Sequence, residues 1–189
     1  MPHISIGGFP GVGKTTILKI LESWYQVHVI PRFTCRPIRR GEQGSQEYVF
    51  VSKTRFKKLG RADFFVPSTV EPVEVNERMY FTATPRVRYW PETPPATELV
   101  VSLLGEAVNV IRAEVPDMLT VFITHSSPFV VMKRTFDRCE AGGIDPLHKL
   151  HLIEEYGRER IWHAYDHIVF NEGTPEECAE KVARIAGLA

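Results

Sequence analysis

The chain has 189 residues, 43% of them hydrophobic and 24% charged, with lysine plus arginine and aspartate plus glutamate both at 23. That length suits one domain with a real core, and zero formal net charge excludes whole-molecule attraction to nucleic acid or an acidic membrane as the governing theme. Cys35, Cys139 and Cys178 stand far apart without a CxxC pair, which argues against a disulfide framework or a structural zinc site.

The first residues, MPHISIGGF, carry no basic segment and too short an apolar run for a signal peptide, and no later stretch reads as a bilayer span. The expected compartment is the reduced cytoplasm. HISIGG reads as a short buried strand. It runs into GFPGVGKT, Gly8 to Thr15, which fits GxxxxGK[ST] between a strand and a helix. Gly8, Gly11 and Gly13 allow a tight turn whose N–H groups face a phosphate at a helix N-terminus. Lys14 then reaches the β- and γ-phosphates, the Thr15 hydroxyl ligates Mg²⁺, and Thr16 completes the ATP-binding stretch. The following helix sets Ile17, Leu18, Leu21 and Trp24 or Tyr25 along one face.

QVHVI reads as a second strand, after which the rhythm changes. Arg32, Arg36, Arg39 and Arg40 crowd a segment broken by Pro37 and ended by Gly41, so they cannot share a regular helix. Guanidinium groups on a bent loop suit a forked grip on phosphate or carboxylate. From Arg32 to Thr84 short strands, EYVFVS and RMYFTAT, surround a helix beginning near Ser52, which reads as an insertion with its own small sheet. Pro85 to Pro95 forms a proline-rich connector.

Strand–helix alternation then resumes. ELVVSLL leads to GEAVNVIRAEV, LTVFITH to PFVVMKRTFDRCE, and HIVFN to TPEECAEKVARIAG. The last helix has Thr174 as N-cap, Pro175 at its first position, Glu177 closing a capping box and Gly187 near its end. This alternation predicts a parallel sheet covered on both faces, an α/β class. His148 with His151, and His163 with His167, have helical spacings without an HExxH or carboxylate partner, so no metal site is expected there. Trp24, Trp90 and Trp162 are expected to pack rather than to carry a cofactor.

A phosphate-cradling loop and a separate arginine cluster suggest two anionic substrates. Here the sequence resembles the guanylate kinase family. Its phosphate-gripping arginines, Gly-Glu pair, tyrosine and FVS segment match Arg36, Arg39, Gly41, Glu42, Tyr48 and Val51-Ser52. A second phosphate-binding tyrosine matches Tyr80, and a hydroxyl residue two places on matches Thr82. Two lid arginines match Arg134 and Arg138, with Lys149 where a third is usual. The resemblance implies a P-loop fold with a doubly wound five-stranded sheet: core 1–31 and 85–189, helical lid about 138–148, and acceptor-binding insertion 32–84. It implies ATP as donor, Mg²⁺, and a nucleoside monophosphate acceptor, with neither nucleic acid nor membrane as partner. Oligomeric state is left open.

Two departures bear on the acceptor. The family reads guanine with a glutamate in an EF-apolar-E strand; here DFFV places Val66 at that position. Its Asp-x-Asp on the strand after the insertion falls on Val100 and Ser102 in VVSLLG. A valine accepts no hydrogen bond from guanine's N–H edge, so a base other than guanine is expected. A phosphorylated sugar or modified nucleotide is the alternative acceptor. A non-catalytic binding module is the alternative function, which the retained Lys14 and Thr15 argue against.

Overall fold

The computed structural model describes residues 3–25, 27–38, 43, 47–75, 78–90, 98–101, 106–141, 153 and 161–189. Its first strand, β1 (Ile4–Gly8), is buried at every position, as a strand covered on both faces must be. Helix α1 (Lys14–Trp24) leads to β2 (Val27–Val29), and β7 (Glu98–Val101) is followed by α3 (Glu106–Glu114) and β8 (Leu119–Thr124). Then come α4 (Pro128–Ala141), β9 (His167–Phe170) and α5 (Pro175–Ala186). The strands form a five-stranded sheet in the order β2-β7-β1-β8-β9, parallel throughout. The chain moves left from β1 to β2 and later right to β8, so β1 lies where the winding reverses. In open α/β sheets ligands bind at the carboxyl ends of such strands.

Local chemistry explains the helices. Ile17, Leu18 and Leu21 of α1 are buried as their spacing requires, whereas Trp24 is 47% exposed and Tyr25 packs on the core instead. That corrects the expectation that Trp24 packs. The Thr174 hydroxyl accepts from the Glu177 N–H while the Glu177 carboxylate accepts from the Thr174 N–H, and Gly187 ends α5 in the left-handed conformation. Cys178, Ala179, Val182 and Ala183 are the buried face of α5, which packs against α1. Burial raises the Cys178 thiol to about 11; it is an inert packing group rather than a nucleophile.

A second sheet has the order β4-β3-β6-β5, built from β3 (Arg32–Thr34), β4 (Tyr48–Phe50), β5 (Glu71–Val75) and β6 (Arg78–Ala83). Helix α2 (Lys53–Arg61) follows β4, with Ser52 as its N-cap. Cys35, Phe56, Phe65 and Ala83 form a core of their own, with Phe33, Phe64 and Phe81 packed against it. The sequence differs from expectation twice here. DFFV is not a strand: only Phe65 makes an isolated bridge, to Pro85. The strand lies further on, in EPVEV, where Pro72 disguises it. A proline is tolerated because β5 is an edge strand.

Asp166 ties the start of β9 to β8 and α3. It accepts from the Thr120 N–H and hydroxyl, each at 2.9 Å, and from the Arg112 guanidinium. Burial alone would raise its pKa, but the Thr120 and Arg112 donors outweigh that effect and hold it below the ordinary 3.8. A depressed folded-state pKa contributes stability above the unfolded value and loses it as pH falls through the folded one. Asp166→Asn is therefore expected to lower the urea midpoint at pH 7, with the gap to wild type closing below about pH 4. A gap constant from pH 7 to pH 3 would show that the charge contributes nothing.

Candidate active site

The loop between β1 and α1 is a left-handed turn that only glycine adopts without strain. Gly13 has φ 94° and is the residue preceding α1, where no side chain caps the helix. The first-turn N–H groups and the positive end of the helix dipole therefore face the loop without a capping side chain, an arrangement that favours an anion. A Cβ at Gly13 would meet the Asn171 Nδ2 at 2.9 Å, and one at Gly11 (φ 81°) would meet the Thr135 hydroxyl at 2.6 Å. Backbone geometry and neighbours select glycine together.

Two side chains brace this loop. The Asn171 amide, just beyond β9, donates to the Val12 carbonyl at 2.8 Å, while its own N–H donates to Thr124 O. The Thr135 hydroxyl of α4 lies 2.9 Å from Pro10 O and 2.8 Å from Val131 O, shared between the two. Lys14, at the first position of α1, donates through its ammonium to the carbonyls of Gly8 at 2.6 Å and Phe9 at 2.9 Å. The cation is thus held against the loop whose N–H groups form the cradle. Thr15 is half-buried beside it and Thr16 is exposed. The hydroxyl of Thr15 is a hard oxygen donor of the kind a magnesium ion takes, and among the described residues no group of three or more His, Cys, Asp or Glu could hold a metal.

The small sheet gathers the second set. Directly opposed residues share a face of a ladder, and Arg32 lies opposite Tyr48, Thr34 opposite Phe50 and Thr82. Thr34 and Thr82 hydroxyls meet at 2.8 Å, both buried. The Arg36 guanidinium is 5.0 Å from the Tyr48 ring centroid and 5.4 Å from that of Phe50. It donates to Pro37 O at 3.0 Å, and the residue is only 5% exposed. A guanidinium laid on two rings is restricted in rotation, so less freedom is lost when it forks onto an oxyanion. Tyr80 is half-buried on β6, with the Lys53 ammonium 4.2 Å from its ring centroid.

The expected site residues divide accordingly. Lys14 and Thr15 meet at the glycine loop; Arg36, Tyr48, Tyr80 and Thr82 share the small sheet or its border. Val66 is fully buried and packs with the main core; its N–H donates to Thr84 O at 3.0 Å and its carbonyl accepts the Thr69 hydroxyl at 2.7 Å. Its side chain contributes packing. Arg134 is exposed on α4, and Arg138 stands one turn later on the same helix. Arg39, Ser102 and Lys149, and residues 142–148 of the expected lid, lie outside the described residues. Asn171 and Thr135 were not anticipated. A polar residue ending a parallel strand, as in HIVFN, is the signal for the first; a lone threonine on a helix face signals the second.

Comparison with known proteins bears directly on this arrangement. The family model described as guanylate kinase matches residues 2–186. The guanylate kinase of Bradyrhizobium diazoefficiens is 27% identical over 172 residues, covering 90% of this chain and 75% of the relative. That of Helicobacter hepaticus is 27% identical over 183 residues, covering 95% and 88%. In three dimensions the chain is similar to the crystal structure of guanylate kinase from Anaplasma phagocytophilum. The TM-score is 0.66 at 18% identity, over 99% of this chain and 86% of that one, a likeness of fold.

The brace at Val12 has a measurable role. Asn171→Ala leaves a buried carbonyl without its donor, a cost of about 1–3 kcal/mol. It is expected to lower stability in urea and to weaken ATP binding, read by displacement of a fluorescent nucleotide. Unchanged ATP affinity would show that the loop holds its shape unaided.

Proposed function

The chain belongs to the guanylate kinase family, and on that premise we propose that it transfers the γ-phosphoryl group of ATP to the phosphate of a nucleoside monophosphate. The observation that carries the proposal is the pairing of an uncapped, glycine-turned helix N-terminus holding Lys14 and Thr15 with a small sheet holding Arg36, Tyr48, Tyr80 and Thr82. Two anion-binding sets of different construction suit two phosphorylated substrates.

In this reading, the first-turn N–H groups of α1 and the Lys14 ammonium take the donor phosphates. Arg36 and the hydroxyls of Tyr48 and Tyr80 take the acceptor phosphate and turn it toward the donor; Arg39 adds a second fork. Phosphoryl transfer asks little covalent work of a protein, so positioning and charge neutralisation carry the rate. Arg134 and Arg138, one turn apart on α4, and Lys149 would neutralise charge on the group in flight. A bound magnesium ion, with Thr15 as its protein ligand, supplies further neutralisation of phosphate charge. The retained Lys14 and Thr15 favour an enzyme over a binding module.

We also propose that the acceptor base is not guanine. At the position of the family's base-reading carboxylate stands Val66, sealed in the main core, and Ser102 replaces an acid. Without that carboxylate, guanine's N–H edge would find no acceptor supplied from this position.

Three substitutions separate the two sites. Lys14→Ala is expected to abolish turnover with the fold intact; wild-type turnover would refute the donor assignment. Arg36→Ala is expected to raise the acceptor KM and leave ATP affinity unchanged, because its guanidinium lies on the small sheet; Arg138→Ala should instead depress kcat. Weakening of ATP binding by Arg36→Ala would misplace the acceptor. With ATP and Mg²⁺ in a coupled ADP-release assay across GMP, AMP, CMP and UMP, GMP is expected to be a poor acceptor beside the best of the panel. GMP as the preferred acceptor would refute the base assignment and leave the kinase reading intact.

A further inference from the structure

Helix α2 is the most charged element described. Its nine residues, KTRFKKLGR, carry Lys53, Arg55, Lys57, Lys58 and Arg61 with no acid among them. Only Phe56 is buried, and none of the five cations makes an ion pair among the described residues. In a chain of zero formal net charge this is a local excess, and its members repel one another. Lys53 is also placed against the helix dipole, at the first position after the Ser52 cap; a cation there is unfavourable unless an anion comes to it.

One of these cations is directed. The Lys53 ammonium lies 4.2 Å from the ring centroid of Tyr80, just as the Arg36 guanidinium lies 5.0 Å from that of Tyr48. The two tyrosines come from β6 and β4, the strands that flank β3. Two cation–tyrosine pairs therefore stand on either side of the Thr34–Thr82 hydroxyl pair. A phosphate dianion entering between them would meet a guanidinium from one side and an ammonium from the other.

We propose that Lys53 is a further acceptor-positioning residue that binds the phosphate of the monophosphate directly, with the other cations of α2 supplying the field that draws the anion in. The proposal rests on the acceptor reading given above. Because Lys53 meets the phosphate rather than the base, its contribution is independent of the base. It is distinct from Lys14, which serves the donor.

The test titrates GMP, AMP, CMP, UMP and inorganic phosphate by calorimetry into wild type, Lys53→Met and Lys53→Arg, with ATP as control and thermal melts to verify folding. Methionine keeps an aliphatic stem on Tyr80 and removes the charge. Lys53→Met is expected to weaken every monophosphate that wild type binds by roughly tenfold or more, by the same factor whatever the base, with ATP unchanged. Lys53→Arg is expected to recover most of that loss, and the salt dependence of affinity should flatten in the methionine variant alone. Equal affinities in wild type and Lys53→Met, a loss that differs between bases, or a loss that arginine does not recover would each overturn the proposal. If wild type binds monophosphates through Lys53 and transfers no phosphoryl group, the kinase reading fails and this one stands. If wild type binds none of them, both fall.

Discussion

The hydrogen bond from the Asn171 amide to the Val12 carbonyl fixes the geometry on which the remaining chemistry depends. A loop of left-handed glycines has few conformational restraints of its own, and the permissiveness that lets Gly11 and Gly13 turn would also let them relax. Asn171 from the end of β9 and Thr135 from α4 remove that freedom from opposite sides. Both belong to elements far along the chain, so the loop acquires its shape only when the parallel sheet is complete. The uncapped start of α1 follows from the same arrangement. A capping side chain at position 13 would satisfy the helix and abolish the anion site, and the φ of 94° disfavours one.

Charge is distributed with equal economy. The chain sums to zero, and among the described residues Asp63, Glu114, Asp137, Asp166 and Glu180 form ion pairs with Arg86, Arg88, Lys133, Arg112 and Arg184. None of those pairs uses a cation of α2. The Asp63 carboxyl is held below its usual range first by its hydrogen bond to Arg86 and also by Arg88, pinning the turn after α2 that carries a positive φ at Asp63.

Much of the main sheet was legible in the sequence because its signals are local: an apolar run, a glycine loop, a capping box at Thr174 and Glu177. The donor half of the candidate site was legible for the same reason, as Lys14 and Thr15 lie within one motif. What the sequence hid was set by long-range pairing. EPVEV carries Pro72, and only a place at the sheet edge makes a proline admissible in such a strand. Val66 matches the family's base-reading position in the sequence, whereas packing with the main core encloses its side chain. Trp24 ends α1 on its exposed side, 47% accessible, and periodicity alone cannot distinguish it from Tyr25. Asn171 and Thr135 act across 159 and 125 residues of sequence, a separation no motif spans.

Pro72 has one more consequence, for the protein's behaviour in concentrated solution. The outer strand of a sheet offers a row of unpaired backbone groups to any other extended chain, and β5 is such a strand. A residue with no N–H interrupts the row of donors. The proline therefore makes the strand a poor template for strand addition. One imino acid thus limits at this edge what other sheets limit with a covering helix or a bulge.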